Sequence, residues 1–526
     1  MKSVAPFQNR WLFSGILTTA APLHIGDGAT GEIHARSHPA TGNDEHDTST
    51  VCTDARGRAY LPASAVKGAL RARVKKLGLW NETWETLLGS DDPEAPDARG
   101  GKLVFFDAFL EAGHEEPTLP RNQLHQATDI ARPWWDDTRK TCVAVSVSLD
   151  RRTRTAGDQL LYHLEYVPAG ESFRLEIGAD NIGDEEAAAL LGLLAAFNDP
   201  DHPLTLGAQV SNGWGRFEWK AESARCLDRL EDWLALDDPP AGFAAAAKLG
   251  SERLASLNTA PPSAPSGTLI IRLRLSMESP WLVRDPRQRE RSQAAKAAGF
   301  PEERKPADAT PVRDEEGRPV LPAKSLRGAL RSRAEMILRT LGLPCAAHPG
   351  DIPAVSTKDK TRSAAFDEIS KADLAARLFG LSGWRAPLHV GRFVPEKDTE
   401  ILHQEFVAID RFTGGAADSA KFDADLAAPT TLEGTLELDL DRLEKVDPDF
   451  ASLGLLALVL RDLAEGDIPL GSGAAKGQGF CTAEASVLHN GESFPSLAEW
   501  FASKPVQNAL AAFRKPVHQN QTTTQP

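Results

Sequence analysis

Two sets of basic residues recur at one spacing. Lys67, Arg71 and Arg73 stand at relative positions 0, 4 and 6, and Arg327, Arg331 and Arg333 repeat that spacing. On a helix the first two of each set share a face, one turn apart. A helix N-terminus carrying such side chains suits phosphate, because free N–H groups and cations converge on the anion. The same pattern also describes an ordinary solvated basic face. Glycine-rich turns, 207–215 and 471–479, come late in each half of the chain. There Gly213, Gly215, Gly477 and Gly479 either let backbone approach a phosphate or base closely, or serve a tight turn between strands. Asp150-Arg151 and Asp410-Arg411 recur as well, either as arginines near nucleic acid or as a structural turn or ion pair. His24 is a possible acid–base group at a strand end. Trp134, Trp135, Trp214 and Trp384 can stack on bases or fill the core. Nothing reads as a Walker loop, a dinucleotide fingerprint or a serine-hydrolase elbow.

The elements that would position these groups are duplicated. Residues 54–73 read DARGRAYLPASAVKGALRAR and residues 314–333 read DEEGRPVLPAKSLRGALRSR, identical at eleven of twenty positions and 260 apart. The landmarks Leu87-Leu88-Gly89, Leu191-Gly192-Leu193-Leu194 and Leu206-Gly207 are echoed in order by Leu378-Phe379-Gly380, Leu453-Gly454-Leu455-Leu456 and Leu470-Gly471. Ile271, Leu273, Leu275 and Met277 alternate with Arg272, Arg274 and Ser276, the period of a half-buried strand. Trp11, Phe13 and Leu17 mark its counterpart. Ser64–Leu77 and Ser325–Leu341 read as helices entered through a Pro turn, and Glu185–Phe197 and Phe450–Leu463 as apolar helices. This mixture predicts an α+β fold in each half, with one sheet and helices on one face.

The predicted organisation is a first domain at 1–256, a linker at 257–267 rich in Pro, Ser and Ala, a second domain at 268–490, and an extension at 491–526. That extension ends in a polar tail from about Lys515, expected to be disordered. Long polar segments, 27–53 and 285–313, interrupt the two halves at the same place.

With 526 residues the chain exceeds one ordinary core. It is 41% hydrophobic and 25% charged, with no run near the roughly 18 apolar residues of a membrane span. No signal peptide is legible at Met1–Phe13, so a cytoplasmic location and no membrane partner are expected. The five cysteines are scattered without a CxxC pair, which argues against a disulfide framework or structural zinc. The net charge of −15 speaks against a basic coat protein, so any nucleic-acid surface must be locally positive.

The run Leu61-Pro62-Ala63-Ser64-Ala65-Val66-Lys67-Gly68-Ala69-Leu70-Arg71, its copy Leu321 to Arg331, Pro22-Leu23-His24-Ile25-Gly26, the Asp-Arg-x-Thr segments and the late glycine turns resemble the RAMP superfamily of CRISPR proteins. The resemblance implies two tandem modified ferredoxin-like (RNA-recognition-like) domains with long inserted loops. It implies a backbone subunit of a type III CRISPR antiviral effector, with guide RNA, target RNA and other effector subunits as partners. RNA contact then falls to Lys67, Arg71, Arg327, Arg331, Arg151, Arg411, Gly213, Gly215, Gly477 and Gly479.

Some members of the superfamily cut the paired target RNA with an aspartate in the loop after the first strand. Asp47 and Asp308 each precede by four residues a valine leading into the repeated motif, and are the corresponding candidates. Strict alignment moves the first site onto Thr48, with Asp44 and Glu45 as substitutes. A carboxylate there can take the 2′-hydroxyl proton or hold a divalent cation, expected to be Mg²⁺; no organic cofactor is expected. Two alternatives remain: a non-catalytic structural backbone, and a guide-processing endoribonuclease relying on His24, a position held by Leu282 in the second half.

Overall fold

The computed structural model describes residues 7–31, 48–92, 98–111, 140–149, 156–200, 202–229, 231, 243–257, 267–285, 307–314, 317–346 and 362–523. The first half contributes β1 (Arg10–Thr19), β2 (Thr48–Val51), α1 (Ala63–Lys76), β3 (Leu103–Phe105), β4 (Ala108–Leu110), β5 (Cys142–Leu149), β6 (Ala156–Tyr166), β7 (Ser172–Asp180), α2 (Asp184–Leu194) and β8 (Phe217–Leu227). The second contributes β9 (Thr268–Met277), α3 (Ala323–Thr340), β10 (Leu388–Val390), β11 (Ile401–Ile409), β12 (Ala416–Ala427), β13 (Thr431–Asp439), α4 (Ala451–Ala464), β14 (Cys481–His489) and α5 (Lys504–Thr523).

In the first half β1 is central, antiparallel to β8 on one side and β7 on the other, with β3 and β4 beyond β7. In the second, β9 lies between β13 and β14, with β10 beyond β13. Both orders are those of a βαββαβ ferredoxin-like sheet, so the expected α+β architecture stands in each half.

The elements follow from their sequences. On β9, Leu269, Ile271, Leu273 and Leu275 are buried while Arg272, Arg274 and Ser276 are exposed. On α1, Val66, Leu70 and Val74 point inward at steps of four; Leu326, Leu330, Ala334 and Leu338 do so on α3. Pro62 and Pro322 hold extended backbone immediately before each helix, as a residue without an N–H can. The repeated glycines carry backbone contacts. A side chain at Gly207 or Gly471 would overlap the carbonyl of His24 or Leu282, and at Gly215 or Gly479 the carbonyl of Leu206 or Leu470.

The described residues of the polar segments inserted after the first strands take part in strand pairing. In the first half Gly26–Gly31 pairs with β2, and β2 lies parallel to β6. In the second half Ala309 bridges Ala424 in parallel. The hairpins β5–β6 and β11–β12 project from the two halves.

The sequence reading ends ordered structure near Lys515; this is corrected by α5, which continues to Thr523 and includes Pro516. Val506, Ala509, Leu510 and Phe513 are buried along it at the spacing of one helix face. The helix lies against α4, where Gly454 leaves room for the Ala509 carbonyl.

The halves meet through polar contacts. Lys76 Nζ lies 3.1 Å from Glu437 Oε1 and 3.5 Å from Asp439 Oδ2, and His202 Nδ1 lies 2.5 Å from Glu437 Oε2. Lys324 donates to Ser146 Oγ at 2.6 Å and Arg327 to Asn212 Oδ1 at 3.0 Å. The turn at Gly213 seats on the start of α3 and on β10. A cavity of about 370 Å³ opens between the halves beside Lys76, His202, Arg216 and Glu437.

Candidate nucleic-acid site

The repeated arginines serve the fold first. Arg71 donates to the carbonyls of Leu88 and Ser90, where the helix Glu82–Leu88 ends, and its guanidinium lies 4.9 Å from the Trp80 ring centre. Arg331 donates to the Gly380 carbonyl at 3.1 Å and to Glu335 at 2.9 Å; Arg327 donates to the Phe379 carbonyl. The Phe379 and Gly380 carbonyls close the helix Leu374–Phe379, so in both halves a cation from the repeated helix caps carbonyls at the end of a later one. Arg73 pairs with Asp199 at 3.2 Å and Arg333 with Asp462 at 2.6 Å. Lys67 differs: it is half-buried and makes no hydrogen bond or ion pair with another described residue.

Asp410 explains its own repeated segment. Its Oδ1 accepts from the N–H groups of Phe412 at 2.8 Å and Thr413 at 2.9 Å, at the tip of the β11–β12 hairpin. The Thr413 N–H and then the Phe412 N–H hold this carboxyl below the usual range. Arg411 is exposed beside it, and Phe412 is fully exposed. Asp150 and Arg151 lie outside the described residues, as do Trp134 and Trp135. Trp384 is a core residue whose Nε1 donates to Arg377, and Trp214 packs on Tyr166. Gly213, Gly215, Gly477 and Gly479 all adopt positive φ. Gly213 faces the second half, whereas a side chain at Gly477 would meet open space.

His24 is 5% exposed, with Nδ1 2.7 Å from the Glu165 carbonyl. Glu165 is itself fully buried, accepting from Thr141 Oγ1 at 2.6 Å and Val51 N–H at 2.9 Å. This corner of the first half is closed.

The corresponding corner of the second half is open. Asp308 is exposed at the foot of the hairpin. Its N–H donates to Asp423 Oδ1 at 2.7 Å, and the Asp423 N–H returns a bond to Asp308 Oδ2 at 3.2 Å. On the same face of the hairpin His403 Nδ1 lies 3.0 Å from Asp425 Oδ1, and Nε2 lies 3.7 Å from Asp423 Oδ2. The hydrogen bond to Asp425 raises the His403 imidazole above its ordinary range, and the charges of Asp425, Asp423 and Glu405 act in the same direction.

Strand alternation places this group. Leu402 and Phe406 on β11, with Ala424 and Leu426 on β12, turn inward against Leu282 and Ala309. His403 and Glu405 therefore face outward with Asp423 and Asp425. Asp308 joins them because Ala309 is pinned to Ala424, and Asp425 N–H bonds the Ala309 carbonyl at 2.9 Å.

The same register in the first half pairs Thr48 with His163 and Val143 with Glu165. Thr48, 4% exposed, thus stands where Asp308 stands. Asp47, its immediate neighbour in sequence, lies outside the described residues, as do Asp44 and Glu45. Sequence reasoning missed His403, Asp423 and Asp425. Among the described residues, no three His, Cys, Asp or Glu side chains converge as a metal-holding group.

Each half is thus a ferredoxin-like domain with a loop and a hairpin projecting from one end. A family model of the RAMP superfamily matches residues 16–218 and 274–482. The chain belongs to the RAMP superfamily, represented twice in tandem, and this carries CRISPR-associated RNA binding with it. No curated protein matches the chain. Among the described residues no helix is long and apolar enough to cross a membrane.

Proposed function

We propose that the chain is a backbone subunit of a type III CRISPR effector, binding guide RNA along both halves and cleaving paired target RNA at Asp308. The observation that carries this reading is the placement of Asp308. An exposed carboxylate stands at the foot of a projecting hairpin, in the loop after the first strand, within a RAMP domain. Domain bounds of 1–256 and 268–490, joined by 257–267, belong to the same proposal.

Lys67, Arg411 and the open turn at Gly477 are the proposed RNA contacts whose groups are least committed within the fold. Arg71, Arg327 and Arg331 offer RNA the guanidinium donors that their carbonyl partners leave over. Asp47 and Arg151 stand as proposals on the repeat alone. The described side chains cage no cation, so a Mg²⁺ ion would come bound to the RNA phosphates.

The exposed loop carboxylate favours the cleaving subunit over the purely structural one. The burial of His24 weighs against a guide-processing enzyme, since a general acid or base must reach its substrate.

The test is the nucleic acid in the purified complex, followed by target cleavage with Asp308→Ala. Short RNA of one defined 5′ end is expected, and the variant should lose one cleavage position while keeping guide and target. Cleavage retained at every position overturns the catalytic assignment.

A further inference from the structure

We propose that His403, oriented by Asp425, is the general acid that protonates the leaving oxygen when target RNA is cut at Asp308. This rests on the cleavage reading above and names the second half of its chemistry. Breaking RNA at a 2′-hydroxyl needs two proton transfers. The 2′-oxygen attacks the adjacent phosphorus and loses its proton to a base, here the Asp308 carboxylate. The bond from phosphorus to the 5′-oxygen breaks, and that oxygen takes a proton from an acid. The ends are a 2′,3′-cyclic phosphate and a 5′-hydroxyl, with nothing oxidised or reduced. A lone carboxylate does only the first transfer well.

His403 has the geometry for the second. Asp425 holds Nδ1 at 3.0 Å and so fixes which nitrogen remains available. Nε2 points toward Asp423 at 3.7 Å, beyond hydrogen-bond length, and its proton is open to an inserted ligand. Asp423 in turn bonds Asp308, so acid and base stand on either side of one carboxylate. The His403 side chain is 55% exposed, within reach of a strand lying over the hairpin.

The charged surroundings favour the protonated ring. Asp423 and Asp425 face it from β12, Asp308 from the loop and Glu405 from its own strand, with Lys421 paired to Glu405 at 2.9 Å. Among the described residues, Arg313 is a further cation whose charge acts on Asp425, and Lys476 lies over the Phe406 and Phe422 rings of the same hairpin. A structural explanation is weak, since an exposed His–Asp pair contributes little to stability.

Among the described residues, the first half arranges this corner differently, with His163 in register with Thr48. Val143 occupies the register of His403, Thr48 that of Asp308, and Glu165 is buried. The proposed acid, His403, therefore has no counterpart at its own register position in the first half.

The experiment measures single-turnover target cleavage against pH in the assembled complex, for His403→Gln, Asp425→Asn and Asp308→Ala, with target binding measured alongside. General acid catalysis is worth about 10²–10⁴-fold. His403→Gln should slow the Asp308-dependent cut by about 10²-fold or more at unchanged target affinity. It should also abolish the fall in rate on the alkaline side. Asp425→Asn should move that fall to lower pH, an effect that a packing role would not produce.

If His403→Gln cuts at the wild-type rate with the wild-type pH profile while Asp308→Ala is inactive, the inference fails and the cleavage reading stands. If Asp308→Ala still cuts at that position, the underlying reading fails. A 5′-phosphate on the product would also overturn the inference, because it requires attack by water instead of the 2′-hydroxyl.

Discussion

Gly213 and Gly477 occupy equivalent turns and have nearly equal φ, +78° and +80°, yet they meet different surroundings. A methyl group at Gly477 touches nothing within 4 Å. At Gly213 it would lie 2.9 Å from Ala323 Cβ and 3.2 Å from the Val390 carbonyl, both in the second half. Gly477→Ala should therefore cost only left-handed backbone strain, about 1–2 kcal/mol. Gly213→Ala should add an overpacking cost of about 1–3 kcal/mol, for a total of about 2–5 kcal/mol. The strain falls on the junction, because its other side is backbone and the first turn of a helix. Urea unfolding of the full chain measures both totals, and hydrogen exchange across 320–326 and 388–392 shows where the difference resides. Gly213→Ala should speed exchange there, whereas Gly477→Ala should not. Equal destabilisation by the two variants, with unchanged exchange, would refute this account of how the halves are joined.

Two further outcomes follow from the basic groups and the buried histidine. Lys67→Ala should lower the salt slope of RNA binding without affecting stability, because the side chain has no described partner; an unchanged slope removes it from the RNA surface. Arg71→Ala and Arg331→Ala should instead lose about 1–3 kcal/mol in unfolding experiments, since each uncaps a helix end, and unchanged stability would contradict the capping role. His389 lies at the junction with Nε2 enclosed and unpartnered, and burial pushes it down to about 4, against the opposing charge of Glu437. The unfolded chain binds that proton near pH 6.5 and the folded chain only near 4, so stability should fall as pH drops between them. The ceiling is about 3 kcal/mol, reduced because the residue is partly exposed. His389→Gln should flatten that slope, and an acid limb as steep as the wild type would exclude His389 as its source.

The duplication made much of this fold legible, because each repeated landmark answers a backbone need. Gly207 and Gly471 accommodate the carbonyls of His24 and Leu282. Asp54 and Asp314 hold the turns before the repeated helices by bonding Arg58 and Arg318. Arg71 and Arg331 recur for the same kind of reason, which shows why a repeated cation is an ambiguous sign of a ligand. Val506, Ala509, Leu510 and Phe513 carry the period of α5, a signal that the expectation of a polar tail from about Lys515 passed over.

His403 was hidden for a physical reason. Asp308 and Asp423 are 115 residues apart and meet only because one bridge sets the register of loop and hairpin. A comparison of halves favours what both copies share, while Val143 and Thr48 break the match at these very positions. The first-half register was within reach, because the offset of 260 sets Thr48 against Asp308, and strand pairing agrees with it.

The junction between the halves is rich in polar contacts, with Glu437 accepting from Lys76 and lying beside His202. Contacts of that kind would dissociate readily between separate molecules. Here one covalent chain holds both surfaces, and a short tether supplies an effective concentration in the millimolar range. Weak docking then suffices to keep the halves together, because neither half can be lost to solution. A chain cut between residues 257 and 267 would forfeit that advantage, and its halves would associate according to concentration and salt.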